Sequence, residues 1–167
     1  MKRVGSAIVI ASLALVLLPG VPARAGSVWD PNDPIYRLDI RWVGAYTQAD
    51  GRLRVTVSFY APVRLRWFAP ASIDSLHRMT VWFAKDRNAL PGLVIAVFAR
   101  RGNRLVAGMC VDGSGCGSGI LRWPKPNTLR AWFDPFDLLP RAGFVFRGRS
   151  IRPDGSVLDR TALGTVT

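Results

Sequence analysis

The sequence predicts an all-β protein, specifically an antiparallel two-sheet β-sandwich of jelly-roll-like form. Two observations carry that expectation. Apolar and polar residues alternate with period two in segment after segment, as they must when successive side chains point to opposite faces of a strand. Turn residues recur roughly every 8 to 12 positions, and no long 3.6-residue helical period appears beyond the leader.

The alternation is clearest at the start. Tyr36, Leu38, Ile40 and Trp42 are apolar, with Arg37, Asp39 and Arg41 between them, and Leu53, Val55, Val57 and Phe59 repeat the pattern. Between the two runs lies Gln48-Ala49-Asp50-Gly51, whose Asp-Gly pair supplies a left-handed turn and marks a β-hairpin. Val63, Leu65 and Trp67, alternating with Arg64 and Arg66, predict a third strand. Residues 69–78 break the pattern and residues 79–84 restore it. Residues 93–99 are continuously apolar, which predicts a central strand covered on both faces. A turn at Arg101-Gly102-Asn103 leads into a strand over 105–111, and a glycine-rich tip over 112–119 leads into another at 120–123. Leu129, Ala131 and Phe133 share one face of a strand over 128–134. A crossing loop spans 135–140, a late strand spans 142–149, and Val157-Leu158 pairs at an edge.

The first 25 residues read differently. Lys2 and Arg3 precede an apolar run over 7–18, interrupted only by Ser12, and Ala23-Arg24-Ala25 has the small-x-small form of a signal-peptidase site. About a dozen apolar residues fall short of the roughly 20 that span a bilayer. The expected organisation is a signal peptide over 1–25 and a single secreted domain over 26–167, with no transmembrane segment in the mature chain. The chain carries 23 basic and 11 acidic residues, a net charge of +12, and all the acids are aspartates beyond residue 25. Loss of Lys2, Arg3 and Arg24 leaves a strongly basic domain suited to cell-wall glycans or other anionic polymers. Its bases are scattered along the chain, which does not point to specific nucleic-acid binding. The two denser runs, from Arg100 to Arg104 and from Arg147 to Arg152, read as turns or strand ends.

Cys110 and Cys116 are the only cysteines, and across a glycine-rich tip in an exported protein they predict a disulfide. The glycine-rich tip lacks the Lys-Ser/Thr and helix of a phosphate-binding loop. His77 is the only histidine; Asp74, Ser75 and His77 are too close in sequence to converge as a triad, so no catalytic residue is assigned. Asp30, Asp33 and Asp39 lie around a proline-rich turn and Asp159 lies in the closing turns; as hard oxygen donors they make a candidate calcium site. Trp82 and Trp132 fall on the strand faces opposite Val81/Phe83 and Ala131/Phe133. An outward tryptophan offers a rigid surface to a sugar ring, and Arg37, Arg41 and Arg54 add polar contacts, so these five are the candidate ligand-binding residues.

Asp30-Pro31-Asn32-Asp33-Pro34, then Leu38-Asp39-Ile40, Val43 and Gly51-Arg52-Leu53, resemble the opening of small secreted actinobacterial proteins. The run from Asp159 to Gly164 is similar to their closing Asp-x-x-Pro-x-x-Gly loop, with Ala162 or Leu163 where proline is expected. The resemblance implies a β-sandwich like those of carbohydrate-binding and DOMON-like modules, without an established activity. The expected function is a secreted, non-enzymatic module that binds glycan or another cell-envelope polymer. The alternatives are an extracellular interaction or inhibitor domain and, behind it, an Asp/His hydrolase.

Overall fold

A computed structural model describes residues 26–30, 38–68, 79–89, 94–111, 115–151 and 156–167. The leader over 1–25, Asp33, Arg37, the Asp74, Ser75 and His77 group and the tip at 112–114 lie outside the described residues. The fold is all-β. Eleven strands are described: β1 (Ser27–Trp29), β2 (Ile40–Thr47), β3 (Leu53–Phe59), β4 (Met79–Ala84), β5 (Val94–Arg101), β6 (Arg104–Val111), β7 (Gly115–Lys125), β8 (Thr128–Phe133), β9 (Val145–Ile151), β10 (Val157–Arg160) and β11 (Gly164–Thr165). They form one antiparallel sheet in the order β1-β2-β3-β8-β7-β6-β5-β4-β9-β10, with β11 also paired to β9.

A twisted sheet of so many strands curls, and here it wraps into a half-barrel around one interior. Strand β7 joins its two halves. Residues 115–119 pair with β6, whereas Ile120, Leu121, Arg122 and Lys125 pair with β8. At the passage between them Gly119 lies under the Phe133 ring, where an added Cβ would come within 2.5 Å. The bend needs glycine there. Residues 115–119 are therefore strand, not loop: the pairing with β6 outweighs their turn-like composition.

Inward positions alternate as expected. Leu53, Val55, Val57 and Phe59 of β3 are fully buried, as are Leu129 and Ala131 of β8 and Met79 and Val81 of β4. The β2–β3 turn closes with Gly51 at φ 80° and its N–H on the Gln48 carbonyl at 2.9 Å. At the same turn the Arg52 guanidinium bonds the Asp50 carboxylate at 2.7 Å. This partner holds the Asp50 carboxyl below the usual carboxylate range and raises the Arg52 guanidinium in turn.

Two sequence expectations are corrected. The alternation through Leu38, Ile40 and Trp42 slips at a bulge between Ile40 and Trp42, so Ile40 and Val43 face the core while Trp42 faces out. Leu65–Trp67 is a 3-10 turn rather than a strand, with the Trp67 N–H on the Arg64 carbonyl at 2.9 Å and the Phe68 N–H on Leu65 at 3.1 Å. Local bonds take up this backbone, and the flanking Val63 and Phe68 are buried.

The run over 94–99 is buried on both faces, as its continuous hydrophobicity predicts. On the outer face Ile95, Val97 and Ala99 form a separate small cluster with Trp82, Val106 and Cys110. Cys110 and Cys116 face each other across β6 and β7 and are disulfide-bonded, with Cα atoms 4.0 Å apart. A loop this short restricts the unfolded chain modestly. Reduction is expected to cost about 2 kcal/mol and to lower the melting temperature by several degrees, measured by calorimetry with and without reductant.

The curl is closed by contacts between distant segments. Gly148 of β9 admits Val43 of β2, whose Cγ2 would lie 2.6 Å from an added Cβ. Thr161 Oγ1 accepts the Gly148 N–H at 3.1 Å, and the Thr47 N–H donates to the carbonyl of Thr167 at 2.6 Å.

Candidate functional site

Outward positions of β1, β2, β3, β8 and β7 form the outer face of the first half-sheet. Strand register sets them in rows: Tyr46, Arg54, Trp132 and Ile120 lie side by side, as do Gly44, Thr56, Arg130 and Arg122. A further row begins with Trp29 and Trp42, whose rings tilt together at 6.4 Å between centroids. Gly44 leaves room for the rings on either side: an added Cβ would meet Tyr46 at 2.8 Å and Trp42 at 3.0 Å. The arginines lie over the aromatics. The Arg54 guanidinium is 4.8 Å from the Tyr46 ring centre, Arg41 is 5.4 Å from Trp29 and Arg130 is 5.9 Å from Trp132. Such stacking holds the rings and guanidinia as one surface.

Of the five residues singled out from sequence as ligand-binding, Arg41, Arg54 and Trp132 therefore share a face. Trp82 does not. It lies on the outer face of the second half-sheet, with its indole N–H on Thr80 Oγ1 at 2.9 Å and Arg149 stacked at 4.9 Å. Both tryptophans point away from the core as their strand parity requires, but from different halves, so one compact ligand cannot stack on both. Tyr46, Arg130 and Ile120 join the candidate face only through long-range register, which local alternation does not encode.

A second constellation lies where β1, the approach to β2, and β10 meet. Asp30 follows β1, Asp39 precedes β2 and Asp159 belongs to β10, and one carboxylate oxygen from each lies within 4.8 Å of the other two. Asp39 and Asp159 are buried and Asp30 is half-buried. Backbone bonds fix all three segments. The Ile40 N–H donates to Asp159 Oδ2 at 2.7 Å, Tyr60 Oη donates to the Asp30 carbonyl at 2.7 Å, and the Tyr60 N–H donates to the Asp39 carbonyl at 3.1 Å. Two oxygens bound to one calcium at about 2.3–2.6 Å lie at most about 5 Å apart, so the donor type and spacing fit that ion. Three of the four aspartates read from sequence as metal ligands thus converge; Asp33 lies outside the described residues.

A cleft of about 760 Å³ opens between β6, β7 and the loop after β8. Met109, Val111 and Phe133 line its floor, and Asp134, Phe136 and Asp137 its rim. Gly117 is strand-paired with Met109, and a Cβ placed on it meets nothing within 4 Å. Replacing Gly117 by valine is expected to raise stability by roughly 1 kcal/mol, because a strand interior disfavours glycine and favours β-branched residues. A thermal melt checks this.

Comparison of the chain with protein-family models, curated proteins and solved structures finds no match. No described helix is long and apolar enough to cross a membrane.

Proposed function

We propose that the chain is a secreted, non-enzymatic module of β-sandwich type, jelly-roll-like in arrangement, that binds glycan or another cell-envelope polymer. The observation that carries this reading is the aromatic and arginine face of the first half-sheet, where Tyr46, Arg54, Trp132 and Ile120 line up across four strands. The Tyr46 and Trp132 rings suit the apolar faces of sugars, and the interleaved guanidinia suit hydroxyl, carboxylate or phosphate groups. The leader-like sequence over 1–25 and the disulfide agree with export. The resemblance of both ends of the chain to small secreted actinobacterial proteins points the same way. Calcium belongs to the proposal as a structural ion held by Asp30, Asp39 and Asp159, tying the first strands to β10.

Co-sedimentation with insoluble wall polysaccharide tests the reading. Retention released by competing soluble sugar and largely kept in high salt is the expected result. Retention abolished by salt and indifferent to sugar means charge alone, and no retention on any wall polymer overturns the proposal in favour of a protein-binding role.

A further inference from the structure

The outer face of the second half-sheet carries a cluster of three arginines that the polymer-binding face does not use. Gly148 and Phe146 point into the core, so Arg147 and Arg149 of β9 point outward on the same side of the strand. Arg160 of β10 stands beside Arg149 in register, while its neighbour Asp159 turns inward to the Ile40 N–H. Trp82 of β4 is the register partner of Arg147 and lies beneath the Arg149 guanidinium. Three like charges are thus gathered on neighbouring strand positions, two of them beside one indole.

Nothing described balances them. The ion pair of Arg52 with Asp50 lies at the far hairpin, away from them. The Nε atoms of Arg147 and Arg149 are buried and bond to no acceptor. Burial holds the Arg149 guanidinium below its usual value, and the charges of Arg147 and Arg160 push it the same way. Such a cluster destabilises the fold on its own and becomes favourable once an anion bridges it. Guanidinium forks match tetrahedral oxyanions in geometry as well as charge.

We propose that Arg147, Arg149 and Arg160, backed by Trp82, form a binding site for a phosphate group, borne either by a phosphodiester polymer or by free phosphate. The site is separate from the aromatic face of the first half-sheet and stands whether or not that face binds glycan.

Thermal melts of the purified protein test it with sodium phosphate against sodium chloride at equal ionic strength. Phosphate is expected to raise the melting temperature above the chloride control. Arg149→Gln and Arg160→Gln, each of which removes one unbalanced charge, are expected to melt no lower than wild type in dilute buffer. Each is also expected to weaken half-saturation by phosphate roughly tenfold. Arg104→Gln, which removes an exposed charge at the β5–β6 turn outside both faces' binding residues, should leave the phosphate response intact. Repeating the titration with poly(glycerol phosphate) distinguishes the source: half-saturation at a much lower phosphate concentration assigns the site to a polymer, and equal values assign it to the free ion. Equal melting in phosphate and chloride, or an undiminished response in both arginine variants, overturns the proposal.

Discussion

Replacing Phe146 by alanine is expected to destabilise the protein by about 3–5 kcal/mol, lowering its melting temperature by roughly 10 °C or more. Phe146 is fully buried on β9, its ring tilted against Phe83 at 6.2 Å between centroids. Gly164 of β11 lies so close against that ring that an added Cβ would collide with it. The void left by alanine is therefore walled by strand backbone as well as by side chains. Hydrogen bonds to β4 on one side and to β10 and β11 on the other hold β9 in place, so the walls cannot collapse inward. Val157→Ala, at an exposed edge position, serves as the control and should change stability by no more than about 0.5 kcal/mol. Chemical denaturation of the two variants beside the wild type measures both.

Calcium should raise the melting temperature of the wild-type protein over that in chelator, and Asp159→Ala should abolish the difference. Calcium at about a hundred times its dissociation constant would contribute about 2.7 kcal/mol. Asp159→Ala also deprives the buried Ile40 N–H of its acceptor, a loss of about 1–3 kcal/mol even in chelator. Asp159→Asn separates the two effects, because its side-chain carbonyl still accepts from Ile40 while its charge is gone. The asparagine variant is expected to recover most of the stability in chelator and little of the calcium response. Identical wild-type melts in calcium and chelator would remove the ion from the account.

The sequence carried the strands better than their partners. Alternation in residues 53–59 and 128–133 identified the core faces correctly, because the alternating direction of side chains along a strand is a local property. It failed at residues 63–67, where apolar and basic residues alternate but the chain winds into a 3-10 turn at Leu65–Trp67. It also failed at the bulge after Ile40, where one extra residue reverses the parity and turns Trp42 outward. The aspartates were legible as a set because they cluster at strand ends near both termini of the domain. That Asp159 meets Asp30 and Asp39 depends on closure of the curl, a long-range event.

The ligand-binding residues divide in the same way. Parity placed Trp82 and Trp132 outward, but only the pairings of β3 with β8 and β4 with β9 set them on different half-sheets. The dense arginines over 147–152 look like a turn in sequence. In the fold Arg147 and Arg149 lie within a strand interior, and their companion Arg160 arrives through register alone.

Affinity for wall polysaccharide, compared between Trp132→Ala and Trp82→Ala after calorimetry has shown both to be folded, decides whether the first half-sheet is the glycan-binding face. Loss of the Trp132 ring from the Tyr46–Arg54–Trp132–Ile120 row is expected to weaken binding roughly tenfold or more, while Trp82→Ala binds as wild type does. Undiminished binding by the Trp132 variant, or an equal loss in the Trp82 variant, contradicts the assignment.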